Sequence, residues 1–261
     1  MKLSVTSARN VAAVALIGLA ACTGPARKPS PEGFRYYRTG NPADVQRPTR
    51  GLWVLQGGGD DVDENYVRMG ERGGGGEFVV LPASGGGDYN DYIFGLCHWD
   101  RVETIVFDER RAAGDRFVLD TLRHAEAIFI AGGDQSRYVR FWQGTPVMDA
   151  INAHARKPAP IGGTSAGMAV LGEYSYSAMS PESLASAVAI ANPYAPDVTL
   201  ARAFLALPRL EGILTDQHLQ ERNGIARTLA LPPRLMQDGW NAGPRAIAAD
   251  RETAVHVDPE T

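Results

Sequence analysis

The chain has 261 residues, of which 44% are hydrophobic and 21% charged, and a formal net charge of −4. A mildly acidic chain without a dense run of Lys or Arg is not built to bind nucleic acid, whose phosphates call for a cationic face. Two cysteines, five histidines and no Cys-x-x-Cys or His-Glu-x-x-His spacing leave no pattern for a zinc site. Neither a metal nor an organic cofactor is expected.

Residues 1–21 read as a targeting segment. Lys2 and Arg9 give a positive start ahead of an apolar run, Val11 to Ala21, about as long as a signal core and too short to span a bilayer comfortably. The run ends in Leu19-Ala20-Ala21-Cys22, which resembles a bacterial lipobox. In that pattern the cysteine is acylated and begins the mature protein. The expectation is a lipoprotein held to a membrane through Cys22, outside the cytoplasm and facing the periplasm or the cell surface. A plain secretory signal cleaved after Ala21 is the alternative. Removing the segment leaves 261 − 21 = 240 residues, and loss of Lys2 and Arg9 takes the charge from −4 to −6. With Cys22 lipidated, Cys97 has no disulfide partner. Residues 22–48, rich in Pro, Arg and Gly, read as a tether and an irregular lead-in, and 49–261 as a single domain.

Along that domain, Gly51–Gln56 is an apolar run stopped by Gly57-Gly58-Gly59-Asp60-Asp61, which predicts a buried strand and a glycine loop. Glu64 to Gly70 fits a helix. Glu77–Leu81 and Val102–Phe107 are further strands, and Phe117–His124 a short helix. Ala127–Ala131 is a fourth strand, closed by Gly132-Gly133-Asp134-Gln135. Arg137–Trp142 and Pro146–Ala155 read as helices, with Pro146 suited to a first turn. Pro160 to Val170 reads as strand, tight turn and helix. Gly212–Thr215 is a sixth strand ending at Asp216-Gln217-His218, followed by a helix over Glu221–Leu231. Ala246–Ala249 and Thr253–Val257 form a strand–turn–strand. Continuously apolar strands spaced by helices predict an α/β fold with a mostly parallel sheet covered on both faces. In such sheets ligands bind beyond the carboxyl ends of the strands, where this chain carries its glycine loops and polar residues. None of the glycine runs has the spacing of a nucleotide cradle.

The turn after the fifth strand holds Gly163-Thr164-Ser165-Ala166-Gly167, the spacing of a nucleophile elbow. Its alternative is an ordinary glycine turn whose serine caps a helix. A serine nucleophile needs a base, and His218 alone among the histidines follows a strand predicted to end on the same rim. His98 follows an irregular stretch, His256 alternates within a strand, and His124 and His154 are most simply surface residues. The Ala166 N–H at the head of the helix and a glycine of the Gly132–Gly133 turn, taken as Gly133, are the natural oxyanion donors.

Three blocks carry a family resemblance: Phe129-Ile-Ala-Gly-Gly-Asp-Gln135, Gly163-Thr-Ser-Ala-Gly167, and Thr215-Asp-Gln-His218 with Arg222 and Arg227. Together they resemble cyanophycinase and the wider S51 serine peptidases, from about Trp53 to Val257 and in the family's order. The resemblance implies a flavodoxin-like fold akin to the class I glutamine amidotransferases. It implies Ser165 as nucleophile, His218 as base, and Gln135 and Gln217 in the substrate pocket. It also implies a basic helix that grips an aspartate-rich substrate through Arg222 and Arg227; the family's middle arginine is Gly224 here. The family's terminal Asp-Glu-x-Thr-Ala is Asp250-Arg251-Glu252-Thr253-Ala254, so Arg251 stands in the acid's register. Either the turn brings in Glu252, or Asp250 serves, or the triad is incomplete; the expected acid is Glu252. Family members continue past Val257 into a further strand or two, so a C-terminally shortened domain is expected.

The expected function is a serine exopeptidase or hydrolase acting on small or aspartate-containing peptides through an acyl-enzyme on Ser165. The alternatives are an inactive ligand-binding lipoprotein and an esterase or amidase. Expected partners are a small peptide and the membrane, with a homodimer left open.

Overall fold

A computed structural model describes residues 32–181 and 183–260; the signal segment, Cys22 and the first part of the lead-in lie outside them. In chain order the strands are β1 (Phe34–Gly40), β2 (Trp53–Gln56), β3 (Glu77–Leu81), β4 (Arg101–Phe107), β5 (Ala127–Ile130), β6 (Ile161–Thr164), β7 (Tyr174–Tyr176), β8 (Leu200–Arg202), β9 (Ile213–Asp216), β10 (Arg245–Ala248) and β11 (Ala254–Val257). The helices are α1 (Asp63–Gly73), α2 (Asp88–Leu96), α3 (Arg116–His124), α4 (Gln135–Trp142), α5 (Pro146–Ala155), α6 (Ala166–Ala169), α7 (Ser186–Ala191) and α8 (Ile225–Gln237).

Seven strands form the main sheet in the order β1-β4-β3-β5-β6-β2-β11. The five inner strands run parallel, and β1 and β11 close the edges antiparallel. The pleat sorts the apolar runs onto two faces. Trp53, Leu55, Val79, Leu81, Ile128 and Ile130 enter one core, under α3, α4 and α5. Val54, Phe78, Val80 and Phe129 enter the other, with Tyr66 and Met69 of α1 and Ile93 of α2. This is the predicted α/β architecture, with helices on both faces.

Local chemistry sets the helix ends. The Asp115 carboxylate accepts from the N–H groups of Phe117 and Val118 at the start of α3, and Asp134 accepts from the Ser136 N–H at the start of α4. Pro146 opens α5, and α1 ends on Gly74 at φ 64°.

Three expectations need correcting. The lead-in is not irregular throughout, because β1 pairs along its whole length with β4. The sixth predicted strand, β9, is not in the main sheet. It lies in a second, four-stranded sheet of order β10-β9-β7-β8 that packs on α8. His154 is not a surface residue; it is 1% exposed, and its Nε2 meets the Pro160 carbonyl oxygen at 2.9 Å.

That last contact fixes a proton. His154 Nδ1 is buried without a partner, so a charged imidazole would strand an N–H in the core. Burial accordingly pushes the His154 pKa down from 6.5 to about 4. The unfolded chain takes up this proton below about pH 6.5, while the folded chain resists until about pH 4. Stability is therefore full above pH 6.5 and drains away as pH falls through 4, by about 3 kcal/mol in all. Urea titrations across that range are expected to show this slope in the wild type and its loss in His154→Gln.

Candidate active site

The rim is assembled by backbone contact. β5, β6 and β2 are parallel neighbours, so their carboxyl ends meet at one edge. Ser165 follows β6 directly, with φ 52° and ψ −116°, a conformation that side chains with a Cβ adopt only under strain. Two hydrogen bonds hold it: the Ser165 N–H donates to the Gln56 carbonyl at 3.0 Å, and the Ser165 carbonyl accepts from the Ala169 N–H at 3.0 Å. Gly163 is required because a Cβ there would lie 2.6 Å from the Gly167 carbonyl carbon. The turn is therefore an elbow rather than a capped helix start; the serine side chain makes no cap bond.

His218 reaches the same rim from the second sheet. Its N–H donates to the Gly57 carbonyl at 2.9 Å, and its Nε2 lies 2.8 Å from Ser165 Oγ. Gly58, at φ 111°, lies against the imidazole, and a Cβ there would overlap the ring, with Cε1 at 2.5 Å. The glycine loop after β2 thus serves as the seat of the histidine. On the loop's other side the Glu252 N–H donates to the Gly58 carbonyl at 2.8 Å, and the Gly57 N–H to the Thr253 carbonyl at 3.0 Å.

The other imidazole nitrogen meets Glu221, which is not among the acids expected from the sequence. His218 Nδ1 lies 2.5 Å from Glu221 Oε2. Glu252 is not the acid beside this ring: its carboxylate pairs with Arg251 at 3.7 Å. Asp250 is also engaged elsewhere, accepting from the N–H groups of Gln220 and Arg251. The physical reason is that residues 250–252 dock on the glycine loop through their backbone, which turns the Asp250 carboxylate to the Gln220 and Arg251 N–H groups and the Glu252 carboxylate to Arg251, while Arg251 itself borders the cleft. A signal for Glu221 did exist, since an acid three residues after a histidine meets it wherever the chain keeps winding. Burial foremost lowers the His218 pKa, against the hydrogen bond that the ring donates to Glu221, with Arg222 and Arg251 adding to the lowering. Donation of Nδ1–H to Glu221 leaves Nε2 able to accept the serine proton.

Ser165 and His218 line a cleft of 390 Å³ with Gly59, Asp60, Tyr89 and Gly132. Ala166 is the first residue of α6, so its N–H has no partner within the helix. Gly132, rather than Gly133, borders this cleft; Gly133 lines a larger neighbour.

That neighbour, of 790 Å³, adjoins the cleft through the Gly132–Gly133 and Gln217–His218 pairs and holds Gln135, Gln217, Arg140, Arg222 and Arg227. All four residues expected to bind substrate are therefore in one pocket, though not in the expected electrical state. Arg227 is 4% exposed and lies over the Tyr176 ring. Its guanidinium forms a two-pronged pair with Asp216, at 3.0 and 2.5 Å, so its charge is already matched. Arg222 and Arg140 have no carboxylate partner among the described residues, and Arg140 was not anticipated. Gln135 Nε2 donates to the Tyr176 carbonyl at 2.6 Å, and Gln217 Nε2 to Gln135 Oε1 at 3.4 Å. Gln217 Oε1 is buried without a partner.

Among the described residues no cluster of His, Cys, Asp and Glu could hold a metal, and no helix is long and apolar enough to cross a membrane.

Comparison with known proteins agrees with the resemblance in the sequence blocks. Residues 98–190 match peptidase family S51. The chain is 28% identical over 193 residues to cyanophycinase from Synechococcus elongatus, covering 69% of this chain and 56% of that protein. It is 29% identical over 150 residues to cyanophycinase from Trichormus variabilis, covering 57% and 46% respectively. The chain thus spans about half the length of the curated relatives it matches. In fold it is similar to a peptidase from an acI-B1 Actinobacterium, with a TM-score of 0.55 at 16% identity over 81% of this chain and 85% of that one. The chain is thus similar to cyanophycinases and, over residues 98–190, to peptidase family S51.

The seat of His218 gives a test. Gly58→Ala must displace the imidazole, and a shift of about 1 Å costs on the order of 10²-fold in reactivity. Labelling of Ser165 by a fluorophosphonate probe is expected to slow by that factor in a variant that still folds by circular dichroism.

Proposed function

We propose that the chain is a serine hydrolase of the S51 kind, an exopeptidase for small or aspartate-containing peptides. The observation that carries this reading is the 2.8 Å contact between His218 Nε2 and Ser165 Oγ on a strained turn. His218 takes the Ser165 proton as Oγ attacks the substrate carbonyl. The oxyanion is met by the Ala166 N–H and by the Gly132–Gly133 turn. The imidazolium then protonates the leaving amine, and water, activated by the same imidazole, releases the acyl group.

The neighbouring pocket supports a substrate with an acidic group. Arg140 and Arg222 offer unmatched cations at its wall, while Arg227 is matched by Asp216. Gln217 Oε1 asks for an N–H from the ligand, since a buried acceptor without a donor costs about 1–3 kcal/mol. A peptide meets both demands, whereas a simple ester supplies no N–H. The alternative of an inert binding protein rested on a missing acid, and a carboxylate beside His218 Nδ1 takes away that support.

The reading predicts that a fluorophosphonate labels the wild type and that Ser165→Ala abolishes both labelling and turnover, with stability changed by less than about 1 kcal/mol. Aspartyl dipeptides are expected to turn over faster than acyl esters of similar size. Turnover of esters alone would overturn the peptidase assignment.

The lipobox-like Leu19-Ala-Ala-Cys22 supports anchoring through Cys22 outside the cytoplasm. Expressed in a bacterial host, the wild type should partition with membranes, and Cys22→Ser should release it to the soluble fraction.

A further inference from the structure

Resting on the serine-hydrolase reading above, we propose that Glu221 is the carboxylate that positions His218, and that Arg251 holds Glu221 in place. The orienting acid then comes from the turn that carries the histidine, and the terminal strand–turn–strand contributes a cation instead of an acid.

The geometry divides the two oxygens of one carboxylate. Glu221 Oε2 is on His218 Nδ1 at 2.5 Å, and Oε1 faces Arg251 at 3.7 Å. The turn makes this contact local. The His218 carbonyl accepts from the Arg222 N–H at 3.1 Å, the Gln220 carbonyl from the Asn223 N–H at 3.0 Å, and the Leu219 carbonyl from the Gly224 N–H at 2.7 Å. Residues 218–224 therefore wind on themselves, and the side chain three positions after His218 returns beneath its ring.

Arg251 is fixed independently. Its stem lies over Gly59, where a Cβ would come within 3.0 Å of the Arg251 Cβ. Its N–H donates to Asp250 Oδ1 at 2.9 Å, and the same oxygen accepts from the Gln220 N–H at 3.2 Å. Asp250 thus ties the histidine's turn to the segment that bears Arg251. A carboxylate at position 251 would repel Glu221 across this short distance, whereas a guanidinium attracts it. Glu221 supplying the acid and Arg251 standing where an acid is expected are two halves of one arrangement.

Glu221 is 43% exposed and Arg251 47% exposed at the side chain, so their pair adds little to stability. Its effect is on orientation and charge. His218 faces Ser165 from the elbow, Glu221 and Arg222 from its own turn, Arg251 from the terminal segment, and Asp60 and Tyr89 across the cleft. Of these, the Glu221 carboxylate favours the charged imidazole, while Arg222 and Arg251 oppose it.

The experiment uses the mature chain and two readouts: the rate at which a fluorophosphonate labels Ser165 as a function of pH, and the NMR titration of the His218 ring. Glu221→Gln is expected to lower the labelling plateau about 10²- to 10⁴-fold, as when other serine hydrolases lose their acid. It should also move the His218 midpoint to lower pH, because a carboxylate that favoured the charged ring is gone. Glu221→Asp is expected to recover part of the rate. Arg251→Met is expected to lower the labelling plateau several-fold by loosening Glu221, and Arg251→Lys to recover part of it; an unchanged plateau in Arg251→Met would overturn the holding role. Glu252→Gln should leave both readouts within about twofold. Labelling of Glu221→Gln at close to the wild-type rate, or loss of labelling in Glu252→Gln, would overturn the proposal. Failure of the wild type to label would instead sink the hydrolase reading. The His218 titration then decides alone: an unmoved midpoint in Glu221→Gln refutes the positioning role, and a downward shift upholds it.

Discussion

The structure depends on a backbone-to-backbone approach at the end of β5. Gly167, in the first turn of α6, lies so close to the Ile130 and Ala131 carbonyls that a Cβ there would overlap Ile130 and come within 2.8 Å of the Ala131 oxygen. Gly163 makes the matching approach to Gly167 from the strand side. Strand, turn and helix are thereby forced into a corner too tight for ordinary dihedrals, and Ser165 takes the strain, on the order of 1–3 kcal/mol. Burial of the neighbouring side chains offsets it: Ile161, Ala166 and Met168 are completely enclosed. Relief of the strain would require the parallel sheet itself to open, which is why the hydroxyl stays projected at the rim.

The histidine obeys a different constraint. It belongs to a second sheet and is brought to the rim by the way that sheet docks on the first. The Thr215 hydroxyl donates to the Ala169 carbonyl at 3.1 Å and accepts from the Gly172 N–H at 3.0 Å, joining β9 to the segment just after the elbow. Asp216 fixes the next step, with Arg227 and Thr228 both donating to its carboxylate. Removing one partner of such a buried pair costs about 3–5 kcal/mol, so this network holds the chain firmly up to Gln217. His218 then passes onto the glycine loop of β2. Each half of the Ser165–His218 contact is thus positioned by its own sheet, and the sheets are locked together within four residues of the elbow.

What the sequence made legible follows from these forces. The inner strands are apolar on both faces, and that pattern is unmistakable in Trp53–Gln56, Glu77–Leu81 and Ala127–Ile130. Strand β1 was hidden because an edge strand buries one side at most; Phe-Arg-Tyr-Tyr-Arg-Thr-Gly reads as loop until β4 is present to pair with it. The three-residue strands β7 and β8 carry no period long enough to detect. His154 looked like a surface residue on a mixed helix, since only the fold shows that its face of α5 turns toward Pro160. The pairing of Arg227 with Asp216 is likewise a tertiary fact: the two positions are eleven residues apart, and a helix of mixed polarity gives no hint that one of its arginines is buried.

Within the site, legibility falls in the same order as burial. The elbow is dictated by backbone clearance, and only glycine satisfies that, so the motif shows in the sequence. His218, 8% exposed, is set by a strand end and a glycine loop, and could be chosen among five histidines by position. Glu221 sits at the solvent boundary, where no packing requirement restricts which chain segment supplies a carboxylate. A motif register names the segment expected to do so, but the ring needs only an acceptor at its Nδ1, and a turn beginning at the histidine itself reaches that point with less chain to order. Where geometry admits several suppliers, the residue's spacing in a family pattern ceases to be a physical constraint. Charge then becomes the better guide: once Arg251 stands at the expected place of the acid, the acid must come from elsewhere or the imidazole would face cations on both sides.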